Sequence, residues 1–360
     1  MRLAWGELRD FRNHTQTRVE PPPGLVVVVG ENGQGKTNLL EGLYYLFALE
    51  SPRASADEPL VRRGAESAFV RGEVITETGK LLIEVEVRPS GANRMQLNRS
   101  GVRRKRDVRQ VARAVFFGPD DIAIVQGDPG ERRRFMDAAV VALWPAREAN
   151  RTAYDKALRQ RNRLLKEWDR PGAPDSLEAW DDELVRTGVS LLRDRAEAVG
   201  RLQDETADTY AEISEGHALE VRYEPSVEPG PDAEDRFRAR LAERRPDELA
   251  RRSTLVGPHR DDLALRVRDF RARGFASHGE AWAGALCLRL AVGRAVAREI
   301  GEPPVLFLDD PFSGLDPGRR RRLSASLAGR GQAVLSVPDR AQVPEGAEVW
   351  TVEGGRVQAA

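Results

Sequence analysis

The chain has 360 residues, 40% hydrophobic and 32% charged, enough for two or three packed globular units, and no apolar run reaches membrane-spanning length. Its 57 basic and 57 acidic residues cancel to a formal net charge of zero, which argues against coating nucleic acid by bulk charge but leaves a local, arginine-rich basic face open. A single cysteine, Cys287, excludes an internal disulfide framework, the four histidines are scattered without zinc spacing, and MRLAWGELRDFRN lacks a signal-peptide core, so a cytoplasmic location is expected.

In chain order, PPPG (Pro21–Gly24) predicts a turn before the strand LVVVV (Leu25–Val29). The stretch GENGQGKTNLLEGLYYL follows as a glycine-rich loop opening a helix. LLIEVEV (Leu81–Val87) partly alternates and predicts a half-buried strand. From Pro119 to Arg252 the pattern turns helical: AREANRTAYDKALRQRNRLLKEW and DDELVRTGVSLLRDRAEAVGRLQDETADTYAEI carry apolar residues at three- and four-residue spacing. DRPGAPDS (Asp169–Ser176) reads as the loop between them, and EPSVEPGPDAED (Glu224–Asp235) as a second break. After Ser253 strands return in LALRVRDF, VLFLDD, AVLSV and EVWTVEGG, and the terminal RVQAA is expected to fray. The expectation is an α/β unit whose halves, 1–118 and 253–360, flank a helical insert over 119–252.

Gly30, Gly35, Lys36 and Thr37 match the phosphate-cradle pattern G-x-x-x-x-G-K-[ST] in full. Glycines let backbone N–H groups turn inward around phosphates, Lys36 reaches the outer phosphates, and the Thr37 hydroxyl ligates Mg²⁺. Glu31, Asn32, Gly33, Gln34 and Asn38 complete the nucleotide-binding stretch, and the helix beyond points its positive end at the anion. Such a cradle needs an acid for the metal. In VLFLDDPFSGLDP four apolar residues make a buried strand, Asp309 at its end would hold Mg²⁺, and Asp310 stands where a water-polarising carboxylate is needed. Taken alone, the acid pair also suits a strand-end turn or helix cap. From Lys36 to Asp309 is 309 − 36 = 273 positions, far more than a compact kinase or small GTPase keeps, which suggests a split ATPase head. In FASHGEAWAGALCLRLAVGRAVA, the turn at Ser277, Gly279 and Glu280 resembles the S-G-G-Q-type turn of the ATP-binding-cassette superfamily, which contacts the γ-phosphate held by the opposite subunit. A plain Ser-x-Gly helix start is the alternative. SGLD (Ser313–Asp316) follows the acid pair where such ATPases keep a loop crossing the dimer interface.

Together these stretches resemble the RecF family, of the SMC-like branch, over nearly the whole chain. LRDFRN, GENGQGKTNLLEGLYYL, SPRASADEPLVRRG, FFGPDDIAIVQGDPGERRRFMD, LFLDDPFSGLD and, most specifically, RRSTLVGPHRDDL carry the resemblance. It implies an α/β P-loop ABC-type ATPase head, lobe I, with an inserted mainly helical lobe II. It implies ATP and Mg²⁺ as cofactors, homodimerisation on ATP, and slow hydrolysis that releases the dimer. It also implies binding to double-stranded DNA near single-strand junctions, and cooperation with RecO and RecR in loading RecA. Arg12 and Asn13 fall on the opening motif whose counterparts approach the nucleotide, although a surface turn would read alike. Lys36, Asp309 and Asp310 carry over as catalytic, and Ser277, Gly279, Glu280, Ser313 and Asp316 as dimer contacts. His259 suits a structural role beside Asp261 and Asp262 better than that of a base.

The sequence departs from the family at SHGE, at Trp282 where an arginine or similar residue is usual, at Gly314 where glutamate is usual, and at SVPDR, which leaves Ser336 as the candidate sensor of the γ-phosphate. NRSGVRRKRDVRQVAR (Asn98–Arg113) has seven basic residues and one acid. A loop or hairpin tip is expected there, with Arg103, Arg104, Lys105 and Arg106 as phosphate contacts or as a solvated surface. With no aromatic-interleaved basic patch discerned, backbone-dominated duplex binding is expected. The long Lys36–Asp309 gap and the lack of a histidine after the last core strand count against a transporter motor. The short, proline-broken insert counts against coiled-coil arms. An ATP-gated scaffold without productive hydrolysis stays open.

Overall fold

The computed structural model describes residues 1–168, 170, 172–174, 176–214, 218–267 and 270–359. Strands β1 (Arg2–Phe11), β2 (His14–Val19) and β3 (Leu25–Val29) precede helix α1 (Lys36–Ala48). Strands β4 (Ala68–Thr76), β5 (Gly79–Val87), β6 (Arg94–Leu97) and β7 (Ser100–Val102) lead through the short α2 (Lys105–Arg109) to β8 (Ala114–Phe117). Helices α3 (Ile122–Gln126), α4 (Pro129–Leu143), α5 (Glu148–Glu167) and α6 (Leu177–Ile213) come next. They are followed by β9 (Leu219–Glu224), α7 (Ala233–Arg251), β10 (Asp262–Val267), β11 (Phe270–Arg271) and a kinked turn, α8 (Ala272–Phe275). The chain closes with α9 (His278–Ile300), β12 (Val305–Asp309), α10 (Pro317–Leu327), β13 (Ala333–Val337), β14 (Glu348–Glu353) and β15 (Arg356–Ala359).

Two compact units result. The first comprises Met1–Ala123, Glu205–Ala218 and Ala276–Ala360 and holds two six-stranded sheets. One is antiparallel in the order β2-β1-β4-β5-β6-β7; the other, β15-β14-β3-β13-β12-β8, is parallel except for the edge strand β15. LVVVV, VLFLD and AVLSV are almost wholly buried, as expected of β-branched and aliphatic runs in a parallel sheet covered on both faces. Helix α1 packs against strands of both sheets, which explains why apolar residues encircle it rather than forming one stripe. Close approach is built in: a Cβ on Gly42 would lie 2.6 Å from Leu8, and one on Gly6 would lie 2.5 Å from Leu43. Leu43 is fully buried in this core, so Leu43→Ala would cost about 2 to 5 kcal/mol.

The second unit comprises Ile124–Asp204 and Leu219–Phe275. Its core gathers Tyr154, Leu184, Val185, Leu192, Phe237 and Leu241 from α5, α6 and α7. Buried arginines are matched by carboxylates: Arg161 pairs with Asp181 and Glu248, and Arg195 with Asp137 and Asp261. These pairs satisfy charges that would be costly if left alone.

Some expectations differ from the fold. LALRVRDF does not join the ATPase sheets: Asp262–Val267 pairs with β9 in a separate three-stranded sheet, β11-β10-β9, so the second unit runs on to Phe275 rather than ending at 252. Arg268 and Asp269 of that stretch lie outside the described residues, as do Asp169, Pro171 and Asp175 of the expected loop. RVQAA does not fray through Ala359, because β15 pairs with β14 from Arg356 to Ala359; Ala360 lies outside the described residues. The β6–β7 hairpin tip is Asn98–Arg99, both left-handed, and the basic run follows the hairpin at the start of α2. Among the described residues no helix is long and apolar enough to cross a membrane.

Candidate nucleotide site

The site lies entirely in the first unit, at the carboxyl ends of the parallel strands. Val28 of β3, Ser336 of β13 and Asp309 of β12 stand side by side across three neighbouring strands. The loop from Gly30 to Gly35 leaves β3 two residues later and opens α1. Gly35 adopts φ 113°, and a Cβ there would meet the Asn13 side chain at 2.6 Å, so both backbone and space demand glycine. Asn13 lies on the loop: its Nδ2 donates to the Gln34 carbonyl (3.2 Å) and its Oδ1 accepts from Asn38 (2.8 Å). The Lys36 ammonium donates to the carbonyls of Gly30 (2.6 Å) and Glu31 (2.9 Å), and so spans the mouth of the loop. Burial lowers its pKa from the ordinary lysine value, against the opposing pull of Asp309 and Asp310.

Thr37 and Asp309 meet. The Thr37 hydroxyl lies 2.9 and 2.8 Å from the two carboxylate oxygens of Asp309. These hard oxygens suit Mg²⁺, which takes few protein ligands and completes its shell with phosphate and water. No cluster of three or more histidine, cysteine or carboxylate ligands exists among the described residues. Ser336 is buried beneath the acids. Its hydroxyl donates to Asp309 Oδ1 (2.5 Å) and accepts from the Asp310 N–H (3.0 Å), so it fixes both acids from behind. Asp310 holds a left-handed backbone, φ 48°, the kind of strain that collects at working sites. Burial, and then the neighbouring Asp309 charge, push its carboxyl up to about 6.

In the turn SHGE, Ser277 and His278 are exposed and Gly279 and Glu280 half-buried. Ser277 caps α9 in a reciprocal box with Glu280, the Glu280 N–H reaching Ser277 Oγ and Glu280 Oε2 accepting from the Ser277 N–H. Gly279 packs over the Gly314 carbonyl, where a Cβ would come within 2.9 Å, so SHGE and SGLD form one continuous surface. Two departures from the family pattern touch here. Trp282 donates its indole N–H to the Pro311 carbonyl (3.2 Å) and packs edge-on against Phe117, and its Cβ and Cγ lie 3.6 Å from where a Cβ on Gly314 would stand. Gly314 itself is left-handed, φ 70°. Ser313 closes the turn on Asp310, and Asp316 caps α10 by accepting from the Arg319 N–H at 2.9 Å.

Arg12 does not reach the phosphate loop. Its guanidinium forks onto the buried Glu41 of α1 (2.9 and 2.8 Å) and donates to the Pro59 carbonyl, in a cluster completed by Ser51 and Arg53. Arg103 and Arg104 are exposed, and Lys105 and Arg106 half-buried, so the basic run is accessible. Two supports of the loop are absent from the sequence reading. Buried His14 faces the Gly35 carbonyl (3.1 Å) through Nε2 and the Gly355 carbonyl (2.9 Å) through Nδ1, and burial holds its pKa below the ordinary histidine value. The β14–β15 turn also grips Gln34: Gly355 N–H donates to its carbonyl (2.9 Å) and Gly354 N–H to its Oε1 (2.7 Å). The only signal was the glycine pair in VEGGRV.

The family described as RecF/RecN/SMC N terminal domain matches residues 3–348. The chain is 43% identical to a "DNA replication and repair protein RecF" of Kineococcus radiotolerans, over 96% of this chain and 94% of that protein. It is 42% identical to a protein of the same name from Streptomyces avermitilis, over 93% and 92%. A solved structure, "Structure of the recombination mediator protein RecF-ATPrS in RecFOR pathway", superposes with a TM-score of 0.90 at 29% identity, covering 99% of this chain and 98% of that one. The fold is therefore that of a P-loop ABC-type ATPase head with an inserted, mainly helical lobe. Joined to a phosphate loop closed by an acid from the far end of the sequence, these likenesses establish that the chain belongs to the RecF family.

Proposed function

We propose that this protein is an ATP-dependent DNA-binding mediator of recombinational repair. ATP binding joins two copies around duplex or gapped DNA, and slow, DNA-stimulated hydrolysis lets them go. RecO and RecR are its proposed partners, in assisting RecA to load. The observation that carries the reading is the contact between Thr37 and Asp309 beneath a complete phosphate loop. The relatives' shared name, "DNA replication and repair protein RecF", supports the role, and the related structures with ATP and its analogue in the RecFOR pathway support the nucleotide and the partners.

The chemistry follows from the side chains. Backbone N–H groups of the Gly30–Gly35 loop and the amino end of α1 receive phosphate oxygens, and Lys36 moves from the Gly30 and Glu31 carbonyls to the outer phosphates. Thr37 and Asp309 are the residues that would hold Mg²⁺, which when bound would supply charge neutralisation. Asp310 is largely ionised at neutral pH, with a pKa near 6 that suits it to take a proton from attacking water. An aspartate reaches less far than the glutamate of fast transporters, which accords with slow turnover. Ser336 holds the two acids in register rather than facing the γ-phosphate. Exposed Ser277 with Gly279 and Glu280, beside Ser313 and Asp316, would meet the nucleotide of a second copy. Arg103, Arg104, Lys105 and Arg106 would contact DNA phosphates.

The test is anisotropy of a labelled gapped duplex titrated with protein, with ATP-Mg²⁺, with ADP-Mg²⁺ and without nucleotide, beside Lys36→Met. The reading expects tight binding only with ATP and none of that gain in the variant. Equal binding under all conditions would refute it.

A further inference from the structure

The two most exposed large apolar residues of the described chain touch each other. Phe270 is 60% and Phe275 73% exposed, and their rings stack with centroids 5.7 Å apart and planes 29° from parallel. Both belong to the second unit. Phe270 is fixed by pairing of β11 with Val267 of β10. The chain then reverses through Gly274, which takes φ 86° with nothing within 4 Å of a Cβ position, and this returns Phe275 onto Phe270. A soluble chain leaves such a pair in water at a cost, and a patch of this kind marks a binding surface.

The stretch reads FRARGF, so two arginines lie between the rings, contrary to the expectation that no basic stretch is interleaved with aromatics. Arg271 faces Glu224 (3.4 Å) and Arg273 faces Asp128 (2.8 Å). All four side chains are exposed, so these pairs are weak and exchange readily for a phosphate. Two phenyl rings cover far less than the roughly 800 Å² per partner that a stable protein interface needs. Flat, open aromatic faces with guanidinium groups beside them match the needs of an unpaired nucleotide: a ring for the base and a cation for its phosphate.

We propose that Phe270 and Phe275, flanked by Arg271 and Arg273, form a stacking platform for the bases of single-stranded nucleic acid. The inference rests on the DNA-binding reading above and deepens it. The single strand of a gapped substrate would lie here, and a duplex, whose bases are already stacked, gains nothing from the rings.

The test uses the full chain with ATP-Mg²⁺, a labelled oligo-dT strand and a labelled duplex of equal length. The double substitution Phe270→Leu with Phe275→Leu keeps apolar bulk and removes the rings. Its affinity for oligo-dT should fall roughly 5- to 150-fold, as for loss of one stacked base, while its duplex affinity changes by less than about twofold. Phe275→Trp should retain the single-strand affinity, and the new indole should be quenched as oligo-dT binds. Unchanged oligo-dT affinity in the leucine variant overturns the proposal, and so does an equal loss on both ligands. A change in ATP-dependent mass without loss of oligo-dT binding assigns the rings to a contact between copies and also overturns it. If the wild type binds duplex but not oligo-dT, the platform falls and the DNA-binding reading stands; if it binds neither, both fall.

Discussion

Thr37 and Asp309 stand 272 positions apart in sequence, yet the Thr37 hydroxyl lies 2.8 Å from the Asp309 carboxylate. The parallel sheet makes the meeting possible, because β3 and β12 flank β13 and end at the same level. Thr37→Val keeps the side-chain shape and removes the oxygen. It should weaken ATP binding in the presence of Mg²⁺ by roughly 10- to 100-fold, the worth of a hydrogen bond to a charged group, and change little when EDTA removes the metal. Titration with a fluorescent ATP analogue under both conditions checks this; an equal loss with EDTA would exclude the metal-linked role.

Asp310 should couple activity to stability with opposite signs. Its carboxyl is raised to about 6 in the fold from 3.8, so the folded state holds that proton more tightly than the unfolded chain. The associated stability is complete below about pH 3.8 and lost as pH rises through about 6. At pH 7.5 without nucleotide, Asp310→Asn should therefore stabilise the protein by about 1 to 2 kcal/mol, a figure discounted for partial exposure, and abolish hydrolysis. Denaturant midpoints and phosphate release measure the two effects. Wild-type turnover should also decline as pH falls below about 6.

His259 carries the reverse pH signature. Its Nδ1 accepts from the Tyr154 hydroxyl (2.6 Å) and its Nε2–H donates to the Thr254 carbonyl (3.0 Å), a pattern complete for the neutral ring, and burial drops its pKa to about 4. The unfolded chain, near 6.5, takes the proton first. Stability present above pH 6.5 is thus lost as pH falls towards 4, by at most about 3 kcal/mol. His259→Gln should flatten the difference in urea midpoint between pH 7 and pH 5 relative to wild type. An unaltered slope would mean that another group drives it.

Trp282 and Gly314 form a size-matched pair: the Trp282 Cβ and Cγ lie 3.6 Å from where a Cβ on Gly314 would stand. Gly314→Glu forces a left-handed backbone on a side chain and should cost about 1 to 2 kcal/mol. Adding Trp282→Arg opens the space beside position 314 and supplies a counter-charge. The double substitution should therefore be more stable than the sum of its singles. A thermodynamic cycle on the four proteins reports that coupling, and strict additivity would show that the two positions are independent.

What was legible in the sequence was local. The glycine loop, the buried strands and the acid pair announce themselves within a dozen residues, because phosphate binding and strand burial each impose a short pattern. What was not legible depends on pairing between distant segments. Nothing in LEVRYE marks it as the partner of β10, so the separate sheet of the second unit was hidden and its boundary fell short. Arg12 sits in the opening motif, but its direction is set by the buried Glu41 on α1. His14 and the Gly354–Gly355 turn support the loop from opposite ends of the chain, a relation no window can hold. The exposure of Phe270 and Phe275 likewise rests on a tertiary fact, that among the described residues no other segment covers them.

An ATP-held dimer has twice the mass of one chain, so mass in solution reports it. Wild type, Lys36→Met and Ser277→Arg are compared by light scattering after gel filtration, with and without ATP-Mg²⁺. ATP should double the mass of the wild type alone: Lys36→Met cannot engage the phosphates, and Ser277→Arg puts a bulky charge at the exposed Ser277, where a second copy's nucleotide would dock. A wild type that remains one chain with saturating ATP, or a Ser277→Arg variant that doubles as readily, would contradict it.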